Sequence, residues 1–257
     1  MRIALFSDIH ANLPALSAFF KDVEQRKPDA IYCLGDLVGY NSWPNEVINE
    51  IRSRKIPVIA GNYDFGIGRT SDECGCAYKT EHDKAMGKIS ISYTNSLVKD
   101  EERKYLRTLP AHIKLEFHLN EDRLNLLLVH GSPRRINEYL FEDREEKSLT
   151  RIMVEAEADI MCFGHTHKPY HRILHSGWDG QPHNRHAINI GSVGKPKDGD
   201  PRGCYVILTI GEKTSYSDES SVKVEFIRFE YDIEAAALGI ENSILPNEYA
   251  NMLRKGI

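Results

Sequence analysis

Five short apolar runs in this sequence each end in residues able to bind a cation or move a proton. The first closes on Asp8-Ile9-His10, the second on Gly35-Asp36 and the third on Gly61-Asn62. The fourth closes on His130-Gly131 and the fifth on Gly164-His165-Thr166-His167. Asp8 and His10 are two residues apart, as are His165 and His167, so in an extended chain each pair projects to one side. Oxygen from Asp and Asn mixed with imidazole nitrogen suits Mn, Fe, Zn or Ni better than Ca or Mg, which prefer all-oxygen shells. Asp8, His10, Asp36, Asn62, His130, His165 and His167 are more donors than one tetrahedral ion takes, which points to two divalent ions sharing a bridge. The plainer account is that each Asp or Asn caps the next helix and each His is a satisfied polar residue. It serves any one of them alone; it does not serve all of them at strand ends together.

The elements that must carry these residues follow from periodicity. Residues 2–7, 30–34 and 56–60 are β-branched apolar runs and predict buried strands. Between them, Leu13, Leu16, Phe19, Phe20 and Val23 recur at helical spacing, with Asn12 as cap and Pro14 in the first turn. Val47, Ile48 and Ile51 repeat the pattern after Pro44. A β-α-β-α-β order predicts a largely parallel sheet with right-handed crossovers, and ligands gather at the carboxyl ends of such strands. Residues 63–82 predict a loop, 83–97 and 100–108 helices, 124–129 a strand, 147–157 a helix and 159–163 a strand. Strands follow at 186–190, 204–210 and 222–231, and then one helical stretch over 233–255.

The chain has 257 residues, and its 33 Lys+Arg against 38 Asp+Glu give a formal charge of −5. That length suffices for a full core, and the simplest expectation is one domain over 1–257, with a core to about 210 and the remainder packed on it. With 41% apolar and 28% charged residues, the composition is that of a globular protein rather than a disordered or fibrous one. A mildly acidic chain disfavours broad capture of nucleic acid, which needs a basic face. No run approaches the ~18 apolar residues of a membrane helix, and five cysteines do not form a secreted disulfide framework. The expected setting is cytoplasmic, with no membrane partner; the apolar face of the C-terminal stretch suggests a homodimer.

The ordered set Asp8-x-His10, Gly35-Asp36, Gly61-Asn62-Tyr63-Asp64, His130-Gly131 and Gly164-His165-Thr166-His167 resembles the signature of the calcineurin-like metallophosphoesterases. Residues 1 to about 210 are similar to its small bacterial and archaeal branch, the YfcE-like phosphodiesterases. The resemblance implies an α/β fold, an α+β sandwich of two mixed β-sheets flanked by helices in four layers. It implies that Asp8, His10 and His167 hold one metal, that Asn62, His130 and His165 hold the other, and that Asp36 bridges them. The implied activity is hydrolysis of a small phosphodiester or phosphomonoester by a metal-bridging hydroxide. Asp36, Asn62, Tyr63, Asp64 and His130 would then be the catalytic set.

One position departs from that family. Where its motif carries a His that protonates the leaving group, oriented by the following acid, this chain has Tyr63 followed by Asp64. A phenol with a pKa near 10 can donate a proton but matches neutral pH less well than imidazole. Three roles remain open for Tyr63: a substitute acid, a wall of the substrate pocket, or the mark of a non-catalytic metal-binding interaction module. Arg134 offers a guanidinium that could fork onto a phosphate or pair with nearby Glu138. Cys74-Gly75-Cys76 reads as a packed loop, and His171, His175, His183, His186, His82, His112 and His118 as surface positions.

Overall fold

The computed structural model describes residues 1–119, 122–177 and 182–257. Two sheets stack face to face. In the first, β1 (Arg2–Phe6) runs parallel to β2 (Ala30–Cys33), while β8 (Gly203–Thr209) and β9 (Lys223–Phe229) continue antiparallel, giving the order β2-β1-β8-β9. The second has the order β3-β4-β5-β7-β6, built from β3 (His112–Leu119), β4 (Asp122–Val129), β5 (Ile160–Phe163), β6 (Tyr170–His175) and β7 (Asn184–Asn189). Its strands β4, β5 and β7 are parallel, and β3 and β6 are antiparallel edges. The expected pair of mixed sheets is therefore what the chain forms.

Alternation along each strand creates the layers. Ile3, Leu5, Val206 and Leu208 of the first sheet meet Leu124, Leu126, Leu128, Ile160 and Cys162 of the second in the central core. Their neighbours Ala4, Phe6, Tyr205 and Ile207 face a helical layer on the other side. That layer begins with α1 (Leu13–Arg26), whose first turn is capped by Asn12 Oδ1 accepting from Ala15 N at 3.1 Å. Phe19 of α1 stacks on Phe6 with ring centroids 4.2 Å apart. It continues with α2 (Pro44–Ser53), α3 (Asn62–Gly68), α4 (Glu81–Leu97) and α5 (Asp100–Thr108), and with α7 (Ile233–Glu241) and α8 (Asn247–Lys255). On the far face, α6 (Glu146–Glu155) buries Leu149, Ile152 and Met153 against Leu127, Val129, Met161 and Phe163.

The structure corrects several sequence expectations. The run 56–60 is no strand; Val58 makes one isolated bridge to Cys33, and Pro57, lacking an N–H, stops the ladder there. The loop expected over 63–82 begins only after α3, whose glycine-rich turn is held by the Asp64 carboxylate accepting from Gly61 N at 3.0 Å. The C-terminal stretch is two helices, because Ser243 and Pro246 turn the chain between α7 and α8. His112 and His118 sit on β3, an edge strand that the sequence reading passed over.

His186 is not a surface residue. It is 1% exposed, its Nδ1 lies 2.9 Å from His171 Nε2, and its own Nε2 has no partner. Burial, with His171 alongside, pushes its pKa down to about 4. On acidification the unfolded chain takes up this proton near the ordinary value of about 6.5 while the fold refuses it until about 4, so stability is full above 6.5 and drains below it. His186 should therefore contribute about 2 kcal/mol of destabilisation between pH 7 and pH 5. Urea unfolding of metal-free protein at both pH values checks this. The His186→Gln variant should lose that part of the slope, and an unchanged slope would refute the assignment.

Candidate metal centre

The parallel strands of both sheets end at one edge, and all seven donors converge there, buried. Asp8 and His10 follow β1, Asp36 follows β2 and Asn62 opens α3. His130 follows β4, while His165 and His167 follow β5. Two groups form. In one, Asp8 Oδ1 lies 3.1 Å from His167 Nε2 and 3.7 Å from His10 Nε2, and the two imidazole nitrogens are 3.2 Å apart. In the other, Asp36, His130 and His165 converge, with Asn62 Oδ1 at 3.1 Å from His130 Nε2. Asp36 Oδ2 stands between them, 3.6 Å from His10 Nε2 and 3.4 Å from His130 Nε2.

The backbone is bent to bring these side chains inward. Asp8, His10, Asp36, His165 and His167 all have positive φ, between 50° and 64°. Non-glycine residues rarely adopt that left-handed region, and a cluster of them marks strain held at a site. Close approach also explains two glycines: a Cβ on Gly61 would overlap the Asp36 carboxylate and amide, and one on Gly164 would overlap Asp8 Oδ2 and Ser7 Oγ. Asn189 holds the fifth turn by donating to Gly164 O at 2.8 Å and Thr166 Oγ1 at 2.9 Å. Ser192 Oγ donates to Asp8 O at 2.8 Å.

The residues present fit a pair of metal ions. His10, His130 and His167 each turn Nε2 into the site because Nδ1 meets a backbone carbonyl: Val38 O at 3.0 Å, Leu34 O at 2.8 Å and Lys195 O at 2.5 Å. His165 Nε2 is buried without a hydrogen-bond partner, and Asp8 Oδ1, though 3.1 Å from His167 Nε2, makes no aligned hydrogen bond, an expensive arrangement unless a cation completes it. Burial pushes His10 and His165 down to about 3, which keeps their lone pairs free at neutral pH. Burial also opposes ionisation of Asp8, but His167, His130 and His10 outweigh it and hold the group below the ordinary carboxylate range. For His130 burial acts downward, and Asp36 overrides it, raising the pKa to about 10.

The remaining predicted residues take other positions. Asp64 does not face the donors; its carboxylate accepts from Asp36 N at 2.7 Å, Leu37 N at 2.9 Å and Gly61 N at 3.0 Å, fixing the turn that carries Asp36. Tyr63 donates its backbone N–H to Asp36 Oδ1 at 2.9 Å, and its ring, 1% exposed, packs against His10 and Tyr40. Burial raises its phenol well above 10. Arg134 is engaged by Glu138, which also pairs with Arg144, so its guanidinium is already spoken for. The Cys74-Gly75-Cys76 segment packs over the site: Asn62 Nδ2 donates to Cys74 O at 2.7 Å, which turns Asn62 Oδ1 toward His130. Tyr139, whose ring packs tilted against His165 with centroids 4.0 Å apart, and Lys195 are site residues absent from the sequence expectations. The available signal was Lys195-Pro196-Lys197 directly after a glycine-rich turn.

Two buried Asp/His groups sharing one carboxylate, at the common edge of a helix-flanked double sheet, define a protein of the metallophosphoesterase type. The family model described as the calcineurin-like phosphoesterase superfamily domain matches residues 1–213, and the chain belongs to that superfamily. An uncharacterised protein of Methanocaldococcus jannaschii is 34% identical over 254 residues, covering 95% of this chain and 93% of that one. The crystal structure of a metallophosphoesterase from Sphaerobacter thermophilus superposes with a TM-score of 0.74 at 28% identity, covering 100% of both chains. A hypothetical protein of Pyrococcus horikoshii shares the fold, with a TM-score of 0.77 at 24% identity over 100% of this chain and 98% of that one.

Proposed function

We propose that this chain is a phosphoesterase that hydrolyses a small phosphodiester or phosphomonoester with two divalent transition-metal ions. The observation that carries the reading is the position of Asp36 Oδ2 between two buried donor groups. Asp8, His10 and His167 would hold one ion, and Asn62, His130 and His165 the other. Such ions, when bound, neutralise charge on the phosphoryl oxygens and acidify water at neutral pH. The chain supplies the rest. Backbone carbonyls fix three imidazoles, Cys74 O fixes the Asn62 amide, and Asp64 fixes the Asp36 turn. Tyr63 steadies His10 from behind and stays protonated, so the position that usually supplies an acid supplies none to the site. That favours substrates whose leaving group departs without a proton. Among the described residues no helix is long and apolar enough to cross a membrane. The free cysteines agree with a reducing, cytoplasmic setting.

Metal-stripped protein, resupplied separately with Mn, Fe, Ni, Zn or Mg, should hydrolyse a chromogenic phosphodiester or its monoester only after metal is restored. Nitrophenolate needs no proton to leave, so the missing imidazole should not mask turnover. Two ions bound per chain with no turnover under any metal would replace this reading with a non-catalytic metal-binding interaction module.

A further inference from the structure

Beside the metal centre a cleft of about 320 Å³ opens, large enough for one phosphoryl group and part of an organic moiety. Tyr40, Tyr78, Tyr139 and Tyr249 form much of its wall; its cations are Lys195 and Lys197, with Lys79 exposed at the rim. Lys195 is 4% exposed. Its ammonium lies 3.8 Å from Met252 Sδ and over the Tyr40 and Tyr249 rings at 5.0 and 5.4 Å. Among the described residues neither lysine forms an ion pair with a carboxylate. The one acidic side chain in the cleft lining, Asp83, caps α4 by accepting from Thr80 N at 3.1 Å. A buried ammonium without an anion is costly, and in a chain of net charge −5 it is an unexpected thing to find.

Both lysines are built onto the metal centre. Lys195 O accepts from His167 Nδ1, and Lys197 N donates to His167 O at 3.4 Å. The Lys197 charge is felt at His167, Asp8 and Asp36. An anion on this pair would therefore sit next to a phosphoryl group at the metals. Arg134, the other basic candidate, is occupied by Glu138.

We propose that Lys195 and Lys197 form a second phosphate subsite beside the metal centre, and that the substrate is an organic diphosphate cleaved at its phosphoanhydride bond. The subsite stands on the lysines themselves; the cleavage rests on the phosphoesterase reading above. Water oxygen bonds to the phosphorus at the metals and the bridging P–O bond breaks. The electron pair stays with the second phosphate, and the proton of water passes to solvent. A phosphate monoester has a second pKa near 6, so it leaves as an anion at neutral pH. No acid is needed at the position Tyr63 occupies, and the two ammonium groups receive the departing charge.

The test compares adenosine 5′-(α,β-methylene)diphosphate with AMP as ligands of Mn-loaded protein by calorimetry, and ADP with AMP as substrates. Wild type should prefer the second phosphate by about tenfold or more in both readouts, the scale of one charge-assisted contact. Lys195→Met and Lys197→Met should each bring the ratio toward one, Lys197→Arg should restore it, and the exposed control Lys168→Met should leave it intact. Lys195→Met should also melt higher than wild type, because it removes a buried amine that has no anion beside it and whose charge burial disfavours. Equal binding of the two ligands by wild type overturns the subsite, as does a Lys195→Met protein that melts lower while Lys197→Met keeps the full ratio. Chromogenic ester turnover without any diphosphate preference sinks the subsite and leaves the phosphoesterase standing. A preference that both Met variants abolish, in protein that hydrolyses nothing, upholds the subsite and removes the cleavage.

Discussion

Asp36→Asn should lower kcat/KM on a phosphoester by at least about 10³-fold, some 4 kcal/mol of transition-state stabilisation, without unfolding the protein. The change is isosteric. Its Oδ1 can still accept from Tyr63 N, the contact that seats the turn. What is lost is the charge at Oδ2, the atom that faces His10 and His130 at once. An amide NH₂ there donates where an acceptor is required, so metal content should fall below two ions per chain as activity falls. Elemental analysis beside steady-state kinetics, with a thermal melt as control for folding, separates these effects. A variant that keeps two ions and more than a tenth of the activity would remove Asp36 from the bridge.

Asp64→Ala should instead act on stability. Three buried backbone amides, at Asp36, Leu37 and Gly61, lose their acceptor together. At roughly 1–3 kcal/mol for each buried donor left unpaired, with partial relaxation, the cost is about 3–5 kcal/mol. For a chain of this size that lowers Tm by roughly 10 °C. Asp64→Asn keeps one accepting oxygen and should recover part of the loss. Calorimetric melts of both variants decide the matter; an Asp64→Ala protein that melts with wild type would mean that this carboxylate has no structural work. Activity should fall as well, because the Asp36 turn is no longer fixed, so a melt below the assay temperature must be excluded first.

The convergence of the donors was legible because each sits at the end of an apolar run, and side-chain chemistry combined with run ends is local information. Which strands share a sheet was not. Asp8 and His130 look equivalent in sequence, yet β1 and β4 lie in different sheets, and only the central core of Ile3, Leu5, Leu126 and Leu128 decides that. Edge strand β3 was hidden because its exposed alternation carries His112, Lys114, Glu116 and His118 on one side, a pattern without a fully apolar run. Pro57 sat inside an apolar run whose composition suggested a strand that the missing N–H forbids. Tyr63 could be named from its place after Asn62. Its burial between His10 and Tyr40 depends on long-range packing that no spacing rule contains.

The left-handed backbone under five of the donors also governs how this site would decay. Each such residue costs on the order of 1 kcal/mol relative to glycine, and a bound metal would justify the expense. In a lineage that stopped using metal, drift at these positions would run downhill toward glycine and uphill toward valine or isoleucine. Asp8 and Asp36 would resist, since their carboxylates also accept from the backbone amides of His165 and Tyr63. His165, with Nε2 unpartnered, would go first. A descendant carrying glycine at position 165 and aspartate still at 8 and 36 would be a recent deserter from metal chemistry, recognisable as such from its sequence.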